Sequence, residues 1–140
     1  MVYVNSGDTV DQFRQNGNYI EWDAPYAAYA DAYPNTDWST QVTFRAPSIC
    51  KSVKAIFETR TDSEQNTEYS ASYRVGDSTG TGIVVGWARQ TTGVNDLVRT
   101  ILATEVMIDS SLQIDIKVSV ADAASRVGVD QVGYYLPIGL

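Results

Sequence analysis

The side chains here that could do covalent or proton-transfer chemistry are carboxylates, three lysines and one thiol. Histidine is absent from all 140 residues, so the usual nucleophile–base pairings lack their base. A Ser–Lys arrangement could replace them, but Lys51, Lys54 and Lys117 fall where the pattern of the chain turns side chains to water. Asp115 and Glu105 could form a glycosidase pair, which requires two carboxyls converging on one bond. Both also sit in alternating stretches, where a carboxylate is equally a solvated strand residue. Cys50 is the only cysteine, which excludes an internal disulfide and a cysteine metal site. Beside Ile49 it reads as a small core residue. Asp77, and Asp109 with Ser110, offer oxygens of the kind calcium takes, without the spaced ladder of an EF-hand. The G-T-G at 80–82 is turn chemistry, since no helical pattern follows it. From these residues we expect no catalytic set, no cofactor and no metal centre, and hence a protein that is not an enzyme.

A different chemistry is offered by DAPYAAYADAYPNTDW, Asp23 to Trp38. Tyr26, Tyr29 and Tyr33 are three and four residues apart, a spacing that makes one stripe on a helix. Asp23 suits an N-cap and Pro25 a first turn, while Pro34 disfavours helix at Tyr33. The expectation is a helix of about eight residues, too short to stand alone in water. Three roles are open for the aromatic set Trp22, Tyr26, Tyr29, Tyr33 and Trp38. They can cap one end of their own domain with hydroxyls outward. They can contact another subunit, because tyrosine is apolar at one end and wet at the other. Or they can stack on sugar rings whose hydroxyls bind Asp31, Asn35 and Asp37.

The elements that must position these residues are strands. From residue 40 onward the period is two. In LQIDIKVSV, Leu112, Ile114, Ile116, Val118 and Val120 share a face opposite Gln113, Asp115, Lys117 and Ser119. TEYSASYRV, SVKAIFET and DLVRTILATEVMI alternate in the same way, the last with Val98, Leu102, Val106 and Ile108 inward. GIVVGWA is apolar on both faces, as in a central or interface strand. VGYYLPIG alternates, but Pro137 favours an edge or bulge. NYIEW (18–22) and QVTFRA (41–46) complete the set. GDSTGTG (76–82), QTTGVN (90–95) and IDSS (108–111) are turns, and TDSEQNT (61–67) and ADAASRVGVD (121–130) read as longer polar loops. About eight short strands predict a single all-β sandwich domain over 1–140, a jelly roll first and an immunoglobulin-like Greek key second. The expected core contains Val53, Phe57, Tyr73, Val85, Trp87, Leu102, Ile114, Ile116 and Val118.

Charge narrows the partners. The chain carries 17 acids against 10 bases, a net charge of -7, which disfavours nucleic acid. Residues 1–40 hold six acids (Asp8, Asp11, Glu21, Asp23, Asp31, Asp37), one base (Arg14) and eight of the 15 aromatics. The segment 1–38 is thus acidic and aromatic-rich, and is the expected intersubunit contact. No apolar run approaches the roughly 20 residues of a membrane helix, and the first residues show no signal-peptide pattern.

The short chain, its Thr/Ser/Gly-rich strands and the final DQVGYYLPIGL (130–140) resemble the small jelly-roll virion proteins of tailed bacteriophages, of the capsid decoration or cement type. The resemblance spans most of the chain without a specific motif. It implies a structural virion protein on the capsid surface, a homo-oligomer (a trimer) bound to the major capsid protein. Tail-fibre tips and lectins look much the same, so the alternative is a carbohydrate-binding sandwich with a glycan partner.

Overall fold

The structure, a computed structural model, describes residues 13–62, 68–90 and 98–138, with the backbone but not the side chain of Asp31. Asp8, Asp11, most of the expected turns at 61–67 and 90–95, and the last two residues lie outside that range. Nine strands follow in chain order: β1 (Phe13–Asn16), β2 (Tyr19–Ala32), β3 (Thr40–Thr43), β4 (Ser52–Thr61), β5 (Glu68–Val75), β6 (Ile83–Arg89), β7 (Val98–Met107), β8 (Gln113–Val118) and β9 (Ser125–Tyr135). They form two antiparallel sheets, ordered β1-β2-β9-β4-β7 and β3-β8-β5-β6. β2 lies beside β9, β3 beside β8, β4 beside β7 and β5 beside β6. The chain is one long hairpin doubled at β5–β6 and then rolled, so that β9 also meets β4 and β8 also meets β5. That is a jelly roll. The strand beyond the expected eight is β1, joined to β2 by Gly17–Asn18, with Gly17 at φ 61°. A two-residue hairpin turn favours glycine at that position.

Alternation set the core as expected at Val53, Phe57, Tyr73, Val85, Ile114, Ile116 and Val118, all buried. Two expected core residues are not. Trp87 is 61% exposed and Leu102 38%. β6 and β7 end their sheets, so Leu102 faces inward beside Phe57 but lacks a neighbour on its outer side, as does Val98. Trp87 pairs with Ser70 and points outward. The stretch 121–130, expected as a loop, is mostly strand: β9 starts at Ser125 and buries Ser125, Val127, Val129 and Gln131 in alternation. Polar Ser125 and Gln131 on the inward face hid that period.

The expected helix around Tyr26–Tyr33 is also corrected: residues 19–32 form β2. Its pairing with β9 slips three times, between Glu21 and Tyr26, Ala27 and Tyr29, and Tyr29 and Ala32. Each slip inserts extra residues into β2. Tyr26, Tyr29 and Ala32 therefore pair with Gln131, Val129 and Val127, three residues on one buried row of β9. Bulges stretch the strand period from two to three, which copies the spacing of a helical stripe. Pro25 lies within the first irregularity, where no ladder donor is needed.

The β3-to-β4 connection crosses from one sheet to the other past a buried glutamine. Gln131 accepts from the Arg45 amide at 2.8 Å and donates to the Arg45 carbonyl at 2.8 Å. Gly133 is another fixed point: a Cβ there would lie 2.2 Å from the Ile20 carbonyl and 2.8 Å from the Tyr19 ring. Tyr19 and Tyr135 close over that strand pair with centroids 4.9 Å apart. Ile114→Ala is expected to lower the unfolding free energy by about 2–5 kcal/mol, and Gly133→Ala by about 1–3 kcal/mol. Urea midpoints unchanged in both variants would contradict this packing.

Candidate functional site

The five aromatics of the expected contact set are dispersed along the fold, and most are engaged by their own chain. Trp22 packs edge-on to Tyr26 (centroids 6.5 Å) and Tyr134 (6.2 Å). The Arg45 guanidinium stacks 3.8 Å from the Tyr26 ring centroid. Tyr29 is half-buried against the core, and burial raises its phenol pKa. Trp38 lies on the outer face of the second sheet, with Arg74 4.9 Å and Lys117 4.7 Å from its ring. It presses so close to Gly82 that a Cβ there would clash. Only Tyr33 is largely exposed, at 51%, and Arg126 donates to its hydroxyl at 3.1 Å.

Tyr33 nevertheless joins two other residues named from the sequence. Asn35 and Asp37 line with it a cleft of about 600 Å³, walled opposite by Ala121, Asp122 and Ala123, with Tyr69 and Val118 at its base. Both walls are tied down. Asn35 Nδ2 donates to Ser39 Oγ at 2.7 Å, and Ser39 donates its amide (3.1 Å) and hydroxyl to Asp37 Oδ1. Those bonds hold the Asp37 carboxyl below its usual pKa. Asp122 accepts from the Ala124 amide at 3.0 Å and from the Ser125 hydroxyl at 3.1 Å.

A run of exposed apolar side chains on β6 and β7 was not read as a surface from the sequence. β6 and β7 end their respective sheets on the same side of the sandwich, and Thr100 Oγ1 donates across to the Trp87 carbonyl at 2.5 Å. Ile83, Val84 and Trp87 on β6, and Val98, Ile101, Leu102 and Met107 on β7, are each between 36% and 61% exposed. Gly86 lets β6 settle against β4, because a Cβ there would lie 2.7 Å from Thr59 Oγ1. The signal available in the sequence was GIVVGWA, apolar on both faces.

The carboxylates weighed as a pair stand on different sheets. Asp115 on β8 is buried and bridged to Arg74 at 3.1 Å. Glu105 on β7 accepts from Ser52 Oγ at 2.5 Å. Asp109 Oδ1 accepts the amides of Ser111 (2.9 Å) and Gln113 (2.8 Å), which shapes the β7–β8 turn. Among the described residues, no three His, Cys, Asp or Glu side chains are grouped to hold a metal ion.

No protein-family model matches the chain, and no curated protein matches it in sequence.

Cys50 is 1% exposed, and burial pushes its thiol up to about 11. A thiol in the unfolded chain titrates near about 8.5. Between those values the unfolded state sheds its proton first, so stability falls as pH rises through that window. Tyr19, raised to about 12 mainly by burial, adds a fall in the same direction at higher pH. The melting temperature is expected to stay level from neutrality to about pH 8 and to drop above about pH 9. A disulfide reagent at pH 8 should label Cys50 only as fast as the chain opens. Instant labelling of folded protein would contradict its burial.

Proposed function

We propose that this protein is a non-enzymatic structural subunit that assembles with copies of itself through the β6–β7 edge, as a capsid decoration or cement protein of a phage virion does. The observation that carries the assembly reading is the apolar edge. Seven large apolar side chains, each between 36% and 61% exposed, run along its two strands, where a lone domain would be expected to place polar ones. The charged residues of the two strands are Arg89, Arg99 and Glu105. The edge is therefore not acidic, and copies of a chain with net charge -7 can approach one another there without adding acid to acid. Residues 13–32 of the segment 1–38 lie in the first sheet as β1 and β2 with their turn, and we place the main contact on β6–β7 instead of on that segment. The virion setting rests on the resemblance of the sequence, and a trimer bound to the major capsid protein is the form it implies.

Sedimentation of the purified chain is expected to give an oligomer. Trp87→Asp and Ile101→Asp, both at exposed positions, should each weaken association at least tenfold, about 1.4 kcal/mol, and leave the β-sheet circular dichroism intact. A wild-type chain that stays monomeric at high concentration, or variants that assemble as well as wild type, would overturn the assignment. For the virion setting, co-purification with phage heads is the deciding measurement.

A further inference from the structure

Independently of assembly, we propose that the cleft between residues 33–37 and 121–123 binds a neutral saccharide of one or two rings. Three features select that class. Tyr33 offers an exposed aromatic surface at the rim, held in place by Arg126, against which the C–H face of a sugar ring can pack. Asn35, Asp37 and Asp122 set hydrogen-bonding oxygens around it, on loops already fixed by bonds to Ser39, Ala124 and Ser125. A site with few placed polar groups and a volume of about 600 Å³ is of small-ligand size.

The third feature lies at the base. Tyr69 is 1% exposed, yet its hydroxyl has no hydrogen-bond partner. Its charged neighbour is Asp122, in the cleft wall, with the Tyr29 phenol also close. Buried hydroxyls are almost always partnered. Tyr69 thus brings an unpartnered hydroxyl to the base of the cleft, where a ligand hydroxyl would supply the bond it lacks. Two aspartates and no basic side chain line the cleft, and the Arg126 guanidinium at its rim is already bonded to the Tyr33 hydroxyl and stacked 5.0 Å from its ring centroid, which disfavours phosphate or an acidic sugar and favours a neutral polyol that donates to carboxylates.

The test is titration of the full chain with glucose, galactose, N-acetylglucosamine and their β-linked disaccharides, followed by amide NMR. The expected result is saturable shifts in 33–37 and 121–123 for at least one of them. Tyr33→Ala and Asp37→Asn, both at exposed positions, should weaken that binding at least tenfold with the melting temperature nearly unchanged. Tyr69→Phe supplies a readout that a purely structural role would not give. It should leave the melting temperature level or higher and still cut affinity several-fold. The absence of shifts across the panel, shifts confined to other surfaces, or affinity unaffected by all three substitutions would overturn the proposal. So would tighter binding of N-acetylneuraminic acid than of every neutral sugar.

Discussion

Ten consecutive residues of β4 are paired on one side with β7 and on the other with β9, and the molecule is built outward from that three-strand ladder. Because side chains alternate, fixing Ser52–Thr61 in both registers fixes which residues of three strands face the second sheet. Val53, Ala55 and Phe57 then share an inward layer with Val106 of β7 and with Val129 and Tyr134 of β9. A slip of one residue would turn Lys54 and Glu58 into that layer. Toward its end the layer becomes polar: Thr59, Thr61 and Ser125 are fully buried, and the Ser125 and Thr61 hydroxyls are hydrogen-bonded to each other at 2.6 Å. Small side chains there, opposite Gly86, let the edge of the second sheet settle close to β4.

The same alternation explains what was legible in the sequence. Where both pairing partners were regular, as in Gln113–Val118, period two showed the strand and its buried face directly. It failed where pairing was irregular. Tyr26 and Tyr29 of β2 are three residues apart on one row because a bulge against β9 inserts a residue between them, Tyr33 lies just past the strand, and a single sequence cannot tell a bulged strand from a short helix. It failed again for Trp87, because apolar residues on both faces fit a central strand or an interface equally. Only the sheet order, with β6 at an end, decides between them. Of the candidate contacts, Tyr33, Asn35 and Asp37 were named together and do line one cleft. Asp122 and Tyr69 were not, because they reach the cleft from β8–β9 and β5, far away in sequence.

Buried polar groups mark where the roll is pinned. Gln131 sits at the end of a bulge in the β4–β9 pairing and puts its amide against the backbone of Arg45, whose chain is crossing between sheets. The crossing chain has no strand partner at that point, and the side chain supplies the missing donor and acceptor. The Arg45 guanidinium then stacks on Tyr26. One aromatic of the acidic segment therefore fastens β2 to the crossover, rather than reaching for a partner. Arg74, Asp115 and Trp38 do similar work on the outer face of the second sheet, where the ion pair is half-roofed by the indole.

A jelly roll does not close, so each of its two sheets has two edges to protect from stray pairing. On one side, β1 and β3 are only four residues long, and β2 beyond β1 carries Pro25 and repeated register shifts. Short, bulged and proline-bearing strands make poor templates. β6 and β7 differ: they are seven and ten residues long, contain no proline, and show one register shift between them. They carry seven of the ten large hydrophobic side chains exposed among the described residues. An exposed tryptophan adds little to the stability of the monomer, and a lysine in its place would guard the edge better. A chain that guards its other edges by geometry and leaves this one apolar is consistent with a partner covering it. The Thr100–Trp87 bond joins both strands before any partner arrives, which lowers the ordering cost of such a contact. The cleft at 33–37 and 121–123 is polar where the edge is apolar, and none of its lining residues belongs to β6 or β7. Proposed assembly and proposed sugar binding therefore draw on separate elements of the same roll, and a substitution at Trp87 can remove the first without touching the residues of the second.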